Sequence, residues 1–404
     1  MKIAIIGAGA AGCFVAANLS SSPQREIMLF EKTGKVMQKV KVSGGGRCNV
    51  THQLFEVSDL IERYPRGMKL LRKSLHQFGT RHTIEWFRSR GVSLKVESDG
   101  RMFPETDNSQ TIMDCIWASM MQNNVSVFFH KSVNTIERIS ERFKIVFSDG
   151  TDCLADKVVI TIGGFQKEEH YKWITELGHT IERPVPSLFT FNSPKHPITE
   201  LMGVSVPEVS LKIAGTKISE VGPLLITHWG VSGPVVLRAS AWGARTLNSI
   251  DYQFVALVNW IYPLTEPELR EQIAEIRRIK GGASVFAKNS FGLPKRLWEF
   301  LLKYSGVNEN IRWGDLSAGL QNRLIQHLIR FELPVSGKTT FKEEFVTCGG
   351  VRLNEIDPNT MQSRKTPGLY FAGEVLDVDG ITGGFNFQHA WTSAWLISQS
   401  LSQD

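Results

Sequence analysis

The tightest constraint on this chain lies in its first 31 residues. Lys2-Ile3-Ala4-Ile5-Ile6 is a short apolar run. Gly7-Ala8-Gly9-Ala10-Ala11-Gly12 follows without a break and leads into a helical pattern through Cys13, Phe14, Ala16, Ala17 and Leu19. A second apolar run, Ile27-Met28-Leu29-Phe30, ends in Glu31. Strand, glycine turn, helix, strand and acid together form the full context of a dinucleotide-binding fingerprint. Gly7 allows the tight turn, Gly9 lets the backbone approach a pyrophosphate, and Gly12 lets the helix pack close to the sheet. The pyrophosphate then faces free N–H groups at the positive end of the helix. Glu31, 19 residues after Gly12 with Lys32 beside it, ends the second strand where a carboxylate accepts hydrogen bonds from an adenosine ribose. The alternative is a glycine-rich turn without a ligand, which leaves the agreement of these features unexplained.

Size and composition bound the rest. A chain of 404 residues makes two or three domains, each with its own core. Hydrophobic residues at 42% and charged residues at 21% are ordinary for a soluble protein. There is no long apolar run of membrane-spanning length, and the N-terminal apolar run is broken at once by glycines, unlike a secretory signal. Five scattered cysteines without a C-x-x-C argue against a disulfide framework or a metal site and for a reduced, cytoplasmic compartment. A net charge of +6 admits a nucleic-acid partner, but the basic residues are spread out, densest at 32–41, 63–73 and Arg277-Arg278-Lys280. Nucleic acid and membrane are therefore not the expected partners; a small molecule is. The oligomeric state is left open.

The expected organisation is an α/β, Rossmann-like dinucleotide-binding domain built from residues 1–186 and 341–404. A β unit at 187–262, barrel-like in texture, and a small helical unit at 263–340 are inserted into it. Helices are expected at 68–78, 83–90 and 109–123, a hairpin at 133–139 and 143–147, and a buried strand at 157–162 that ends in Gly163-Gly164. In the insert, β-like runs at 188–191, 206–213, 224–227 and 252–257 precede helical runs at 266–278, 295–304 and 315–329. The α/β texture returns near Phe341, with Phe345-Val346-Thr347 leading into Gly349-Gly350, a strand-to-turn at Gly368-Leu-Tyr-Phe-Ala-Gly373 and a final helix over 385–401.

Two further segments carry chemistry. After Gly373-Glu374 and Asp377, a loop runs through Gly383-Gly384 into Phe385, Asn386 and Phe387. A helix N-terminus there offers free N–H groups beside the pyrimidine edge of a flavin, where reduction adds negative charge. Glu374 and Asp377 reach toward ribityl hydroxyls. Ser43, Gly44, Gly45, Gly46, Arg47, Cys48 and Asn49 suggest backbone contact with a ligand, Arg47 pairing with phosphate; the alternative is a flexible surface loop. Cys48 has no neighbouring cysteine and reads as a packing residue.

These motifs, with Thr227-His-Trp-Gly-Val-Ser-Gly-Pro234, resemble the bacterial flavoproteins labelled HI0933-like, NAD(P)/FAD-dependent oxidoreductases of the BaiN and YhiN type. The resemblance covers essentially the whole chain. It implies FAD in a two-segment, three-layer glutathione-reductase-like domain. The pyrophosphate would lie on residues 7–12, the adenine against Val133, and the cofactor past Gly163 and Gly164. It also implies activities such as bile-acid-type enone reduction or oxidation of small amines such as aminoacetone. No second G-x-G-x-x-G occurs between 165 and 340, so NAD(P)H would act as a transient electron donor without its own domain. The leading expectation is an FAD-dependent oxidoreductase of a small organic substrate. The alternatives are an RNA-associated flavoprotein related to tRNA-modifying enzymes and a flavin binder without turnover. His228 is the catalytic candidate as acid or base, against a structural role, with Ser232 capping the helix that follows. His389 and Tyr370 read as packing residues, and Arg101 and Glu105 as candidates for the substrate face. No metal is expected.

Overall fold

The structure, a computed structural model, describes residues 1–287, 289–340 and 346–403. It divides into two compact units, Met1–Ser187 with Phe341–Asp404, and Leu188–Thr340. The expected return of α/β texture at Phe341, and Phe345 of the run leading into Gly349-Gly350, lie outside the described residues.

The first unit is built on a five-stranded sheet in the order Leu369–Phe371, Lys157–Ile160, Lys2–Ile6, Glu26–Phe30, Ser126–Phe128. Every pairing in it is parallel, with Ile5 opposite both Leu29 and Val159. Four of the five residues in each of the strands Lys2–Ile6 and Glu26–Phe30 are buried, the continuous apolar pattern of a parallel sheet covered on both faces. Helix Ala10–Ala17 packs against the C-terminal helix Phe385–Gln403, joining the two ends of the chain. The expected hairpin gains a third strand, Asp152–Ala155, and its Phe147 ring packs on Phe30 at 4.8 Å. A separate two-stranded pair, Ile181–Ser187 with Val346–Val351, brings both ends of the interrupted unit side by side.

The second unit is a seven-stranded antiparallel sheet in linear order with four helices. Strand Phe331–Ser336, which follows the helical stretch, pairs with Gln253–Asn259. Helices Glu266–Lys280, Lys295–Tyr304 and Ala318–Ile329 share a single core with the strands, through Trp260, Trp298, Trp313 and Phe331. Helix Pro234–Ser249 begins at Gly233, not at a Ser232 side-chain cap; Ser232 lies in the short strand Gly230–Ser232.

A buried polar cluster anchors the two-stranded pair. Glu355 accepts from the Thr180 N–H at 3.0 Å and from the Lys365 ammonium at 2.6 Å. It also faces His179 Nδ1 at 3.0 Å, and the other ring nitrogen meets Ser363 Oγ at 2.9 Å. Burial alone would raise the Glu355 carboxyl, but hydrogen bonds from Lys365, Thr180 and His179 outweigh it and hold it at about 2, below its ordinary 4.5. A depressed carboxyl stabilises the fold above its unfolded-state value, and that stability is lost as pH falls from 4.5 towards 2. Glu355→Gln should therefore cost on the order of 2 kcal/mol at neutral pH and flatten the acid limb of the stability curve. Urea unfolding followed from neutral to acid pH measures this; parallel curves for the two proteins would remove the cluster from the account.

Candidate functional site

The turn after the first strand is shaped by close approach. Gly7 has φ of +102°, and a Cβ there would lie 2.7 Å from the Thr161 carbonyl oxygen. Thr161 follows the strand Lys157–Ile160, and its hydroxyl faces the carbonyls of both Ile6 and Gly7, at 2.9 and 2.8 Å. A Cβ on Gly12 would lie 2.0 Å from the Gly7 carbonyl oxygen, so helix Ala10–Ala17 reaches the turn only because position 12 has no side chain. Gly9 differs. Its backbone is extended, and the nearest atom to a Cβ would be Thr161 O at 4.0 Å. The protein leaves room at Gly9, which a tightly packed glycine would not.

Glu31 is buried at the end of the second strand, with Oε2 accepting from the Ala8 N–H and Oε1 from the Thr33 N–H and hydroxyl, all at 2.9 Å. It thus ties the second strand to the glycine turn. Lys32 is exposed, with its ammonium 5.0 Å from the Phe165 ring centre. Lys131 donates its N–H to the Glu31 carbonyl at 2.9 Å, which brings Val133, first residue of the strand Val133–Ile139, close to the same end of the sheet.

The stretch expected as a glycine loop begins as the helix Gln38–Gly46 and breaks at Ser43. Gly44, Gly45 and Gly46 all have positive φ, at 59°, 70° and 85°. Gly44 faces the Phe103 ring, whereas at Gly45 and Gly46 a Cβ would meet no protein atom within 4 Å. Arg47 does not stand free for a phosphate: it pairs with Glu97 at 2.5 Å and Asp107 at 3.5 Å and lies over Phe103. Cys48 is buried, and burial pushes its thiol up to about 12 against an opposing hydrogen bond with Ser43. It is a neutral packing residue at physiological pH. Asn49, with its amide turned to satisfy both ends, donates to the Thr51 carbonyl and accepts from the Gly384 N–H, each at 3.0 Å.

The C-terminal segment closes on these elements. A Cβ on Gly373 would lie 3.0 Å from Ala11 Cβ, so the two distant glycine motifs are in contact. Glu374 accepts from the Thr347 N–H at 2.8 Å and pairs with Lys39 at 2.6 Å. A Cβ on Gly164 would collide with Thr347 and Glu374, whereas Gly163, with φ of +76°, has open space. Asp377 is buried and donates its N–H to the Val351 carbonyl. Asn386 is turned back onto the loop, with its amide clasping the N–H and carbonyl of Gly380 at 2.9 and 3.0 Å. Phe385 stacks on His52 at 4.9 Å and Phe387 on Trp391 at 5.7 Å. The first-turn N–H groups of helix Phe385–Gln403 have no intrahelical acceptor.

His228 belongs to the other unit, exposed in the tight turn between strands Ser219–Thr227 and Gly230–Ser232. Several residues at the site carry no local sequence signal. Arg66 forms a bidentate ion pair with the fully buried Asp379, which also accepts from Ser187 Oγ at 2.7 Å. Burial raises the Asp379 carboxyl, and Arg66 and Ser187 oppose that shift. His389 is buried with Nε2 3.2 Å from the Gly373 carbonyl, and burial lowers its pKa to about 4, leaving it neutral. Among the described residues, no group of His, Cys, Asp and Glu could hold a metal ion, and no helix is long and apolar enough to cross a membrane.

Comparison with known proteins places this geometry. The family described as "HI0933-like protein Rossmann domain" matches residues 1–400. A ribosomal RNA dihydrouridine synthase of Escherichia coli (strain K12) is 32% identical over 98% of this chain and 97% of its own. A 3-dehydro-bile acid delta(4,6)-reductase of Clostridium scindens is 27% identical over 100% of this chain and 99% of its own. The fold is shared with a crystal structure of 3-ketosteroid-delta4-(5alpha)-dehydrogenase from Rhodococcus jostii RHA1, with a TM-score of 0.50 and 12% identity over 98% of this chain and 97% of that one.

Gly12 and Gly9 differ in how closely protein atoms surround them. Gly12→Ala should destabilise the fold by about 2 kcal/mol or more, although alanine favours a helix, because the new methyl meets the Gly7 carbonyl. Gly9→Ala should stay within about 0.5 kcal/mol of the parent protein. Thermal unfolding of both variants checks the contrast; equal losses would contradict it.

Proposed function

Because the chain belongs to the HI0933-like family and is a flavin-dependent oxidoreductase, we propose that it saturates a carbon–carbon double bond conjugated to a carbonyl, with a uridine of ribosomal RNA as substrate. The full-length match to the E. coli ribosomal RNA dihydrouridine synthase carries this reading. Dihydrouridine is uridine with two hydrogens added across the ring double bond that is conjugated to a carbonyl. The name of the Clostridium scindens relative describes the same class of change, removal of double bonds conjugated to a 3-oxo group. One chemistry thus accounts for both relatives, and the substrates differ in what surrounds the double bond.

The residues present fit FAD. Space at Gly9, Gly45, Gly46 and Gly163 lets backbone approach a ligand, and Thr347 Oγ1 is buried beside Gly164 without a hydrogen-bond partner. In this reading the turn from Gly7 through Ala8, Gly9, Ala10 and Ala11 to Gly12 holds the pyrophosphate. Glu31 and Lys32 hold the adenosine, with Val133 near the adenine. Glu374 and Asp377 serve the ribityl chain. The Phe385–Gln403 helix N-terminus serves the ring. FAD supplies reversible two-electron transfer when bound. The chain contributes position and field. The helix N-terminus favours negative charge beside it, and neutral His389 holds the Gly373 carbonyl without adding a competing cation. NAD(P)H is proposed as the transient donor that recharges the cofactor.

Charge favours RNA over a small enone. Residues 188–340 carry 17 Lys and Arg against 12 Asp and Glu, so +5 of the chain's +6 falls in this unit. A polyanion gains affinity from such an excess by releasing counterions, whereas a small enone gains little.

The test is anaerobic reduction by NADH or NADPH followed by incubation with ribosomal RNA from cells lacking this protein. Dihydrouridine measured by nucleoside mass spectrometry is the expected product. Unmodified RNA together with rapid reduction of a steroid 4-en-3-one would favour the second reading, a small-molecule enone reductase.

A further inference from the structure

We propose that the face of the 188–340 unit built on helix Lys295–Tyr304 docks an unpaired stretch of RNA, with Tyr304 as a base-stacking platform. This rests on the RNA reading above. Tyr304 ends the helix with 43% of its surface exposed. Its position is nonetheless fixed. It stacks on Phe300 at 5.4 Å and is backed by His327 at 4.9 Å and Phe331 at 5.4 Å. A rigid aromatic held by aromatic neighbours loses little entropy when a base stacks on it.

Its hydroxyl is also set for a ligand. His196 Nδ1 accepts the Ile198 N–H at 3.2 Å, so the neutral imidazole carries its hydrogen on Nε2. That nitrogen lies 3.4 Å from the Tyr304 oxygen and donates to it, which leaves the phenolic hydrogen to point outward. Burial lowers the His196 pKa, which favours the neutral ring.

Basic residues lie on the elements that hold the ring. Arg296 lies on the same helical stripe as Phe300 and Tyr304, at i, i+4 and i+8. Its guanidinium bonds only backbone carbonyls, Glu200 O at 2.8 Å and Met202 O at 3.4 Å. Arg323 likewise bonds the Ser305 carbonyl at 3.0 Å. Exposed Lys195 adjoins His196. None of these three is in an ion pair among the described residues. The nearby acids Glu299 and Glu309 are paired with Lys295 and Lys303, which leaves Glu200, and Glu332 beside His327, as the opposing carboxylates. Phosphates on the three cations and a base on Tyr304 match an unpaired strand; a duplex hides its base faces.

Full-length, FAD-loaded protein would be titrated with a labelled single-stranded oligouridylate and with an equally long RNA duplex across a salt series, read by fluorescence anisotropy. The wild type should prefer the single strand. Tyr304→Leu should weaken that binding about tenfold, and Tyr304→Trp should restore it. The pair Lys195→Gln and Arg296→Gln should lower the slope of log affinity against log salt by about 1.4, at about 0.7 per lost phosphate contact on a single strand. Flavin absorbance should match the parent in every variant, and each should unfold cooperatively above the assay temperature, so that weaker binding is not unfolding. If the wild type forms dihydrouridine in ribosomal RNA and binds the single strand, yet these variants bind equally well with unchanged slopes, the surface is overturned and the function stands. If the wild type binds neither RNA and forms no dihydrouridine, the RNA function falls and takes the surface with it.

Discussion

The contact between Gly7 and Thr161 sets the geometry that the rest of the first unit follows. With the Thr161 carbonyl 2.7 Å from where a Cβ would be, and its hydroxyl against the carbonyls of Ile6 and Gly7, the turn has one available path. Gly12 then seats the helix against the same turn. The helix axis is thereby fixed relative to the sheet, and Ala11 meets Gly373 on the far side. A site whose parts lie more than 360 residues apart in sequence is assembled through contacts between small residues, which leave no side chain to absorb error. Interiors packed at near-crystalline density transmit such constraints over several shells.

Polar groups around the site mostly hold other parts of the protein. Glu31 spends its oxygens on Ala8 and Thr33, Glu374 on Thr347 and Lys39, and Asn386 on Gly380. The open positions are backbone positions: Gly9, Gly45, Gly46 and Gly163. Side chains that fix the loops and leave bare backbone open would suit recognition of phosphates and ring edges by N–H groups. The Arg66–Asp379–Ser187 cluster belongs to the same scheme. It ties the loop before helix Phe385–Gln403 to the end of strand Ile181–Ser187 by charge-assisted bonds in a buried setting.

What can be read from the sequence follows from how local each signal is. The fingerprint, Glu31 and the glycine clusters are legible because strand, turn and helix each impose their own spacing within a few dozen residues. Arg66 and Asp379 are 313 residues apart and show no pattern until the chain is folded. Thr161 is one residue beyond an apolar strand and looks like any strand end. Strand Ile181–Ser187 is masked by Pro184 and Pro186 and by a bulge between Glu182 and Val185, since proline is foreign to a regular ladder. Strand Phe331–Ser336 has strict alternation, with Phe331, Leu333 and Val335 buried and Glu332, Pro334 and Ser336 exposed. That period is legible, but it follows directly on the helical run, and Pro334 weakens it as a strand signal. Its pairing with Gln253–Asn259 is the long-range contact by which sheet and helices share one core.

On the proposed RNA reading, the distribution of charge bears on what a second unit would add. A uracil ring offers few atoms for recognition, and ligand efficiency sets a ceiling of about 1.5 kcal/mol for each of them. Affinity for a large RNA must come from phosphates and stacked bases beyond the reacting ring, as counterion release and base stacking supply it. On helices Glu266–Lys280 and Lys295–Tyr304, ion pairs such as Arg270–Glu266, Arg278–Glu275 and Lys295–Glu299 cancel their own charge. Arg296 and Arg323, which among the described residues bond only carbonyl oxygens, keep theirs. A guanidinium anchored by neutral acceptors is held in place without being neutralised, and so remains available to an anion. A carboxylate partner gives the anchoring but removes the charge. The partner chosen for each arginine, rather than the net count of basic residues, therefore decides which parts of this unit attract a polyanion.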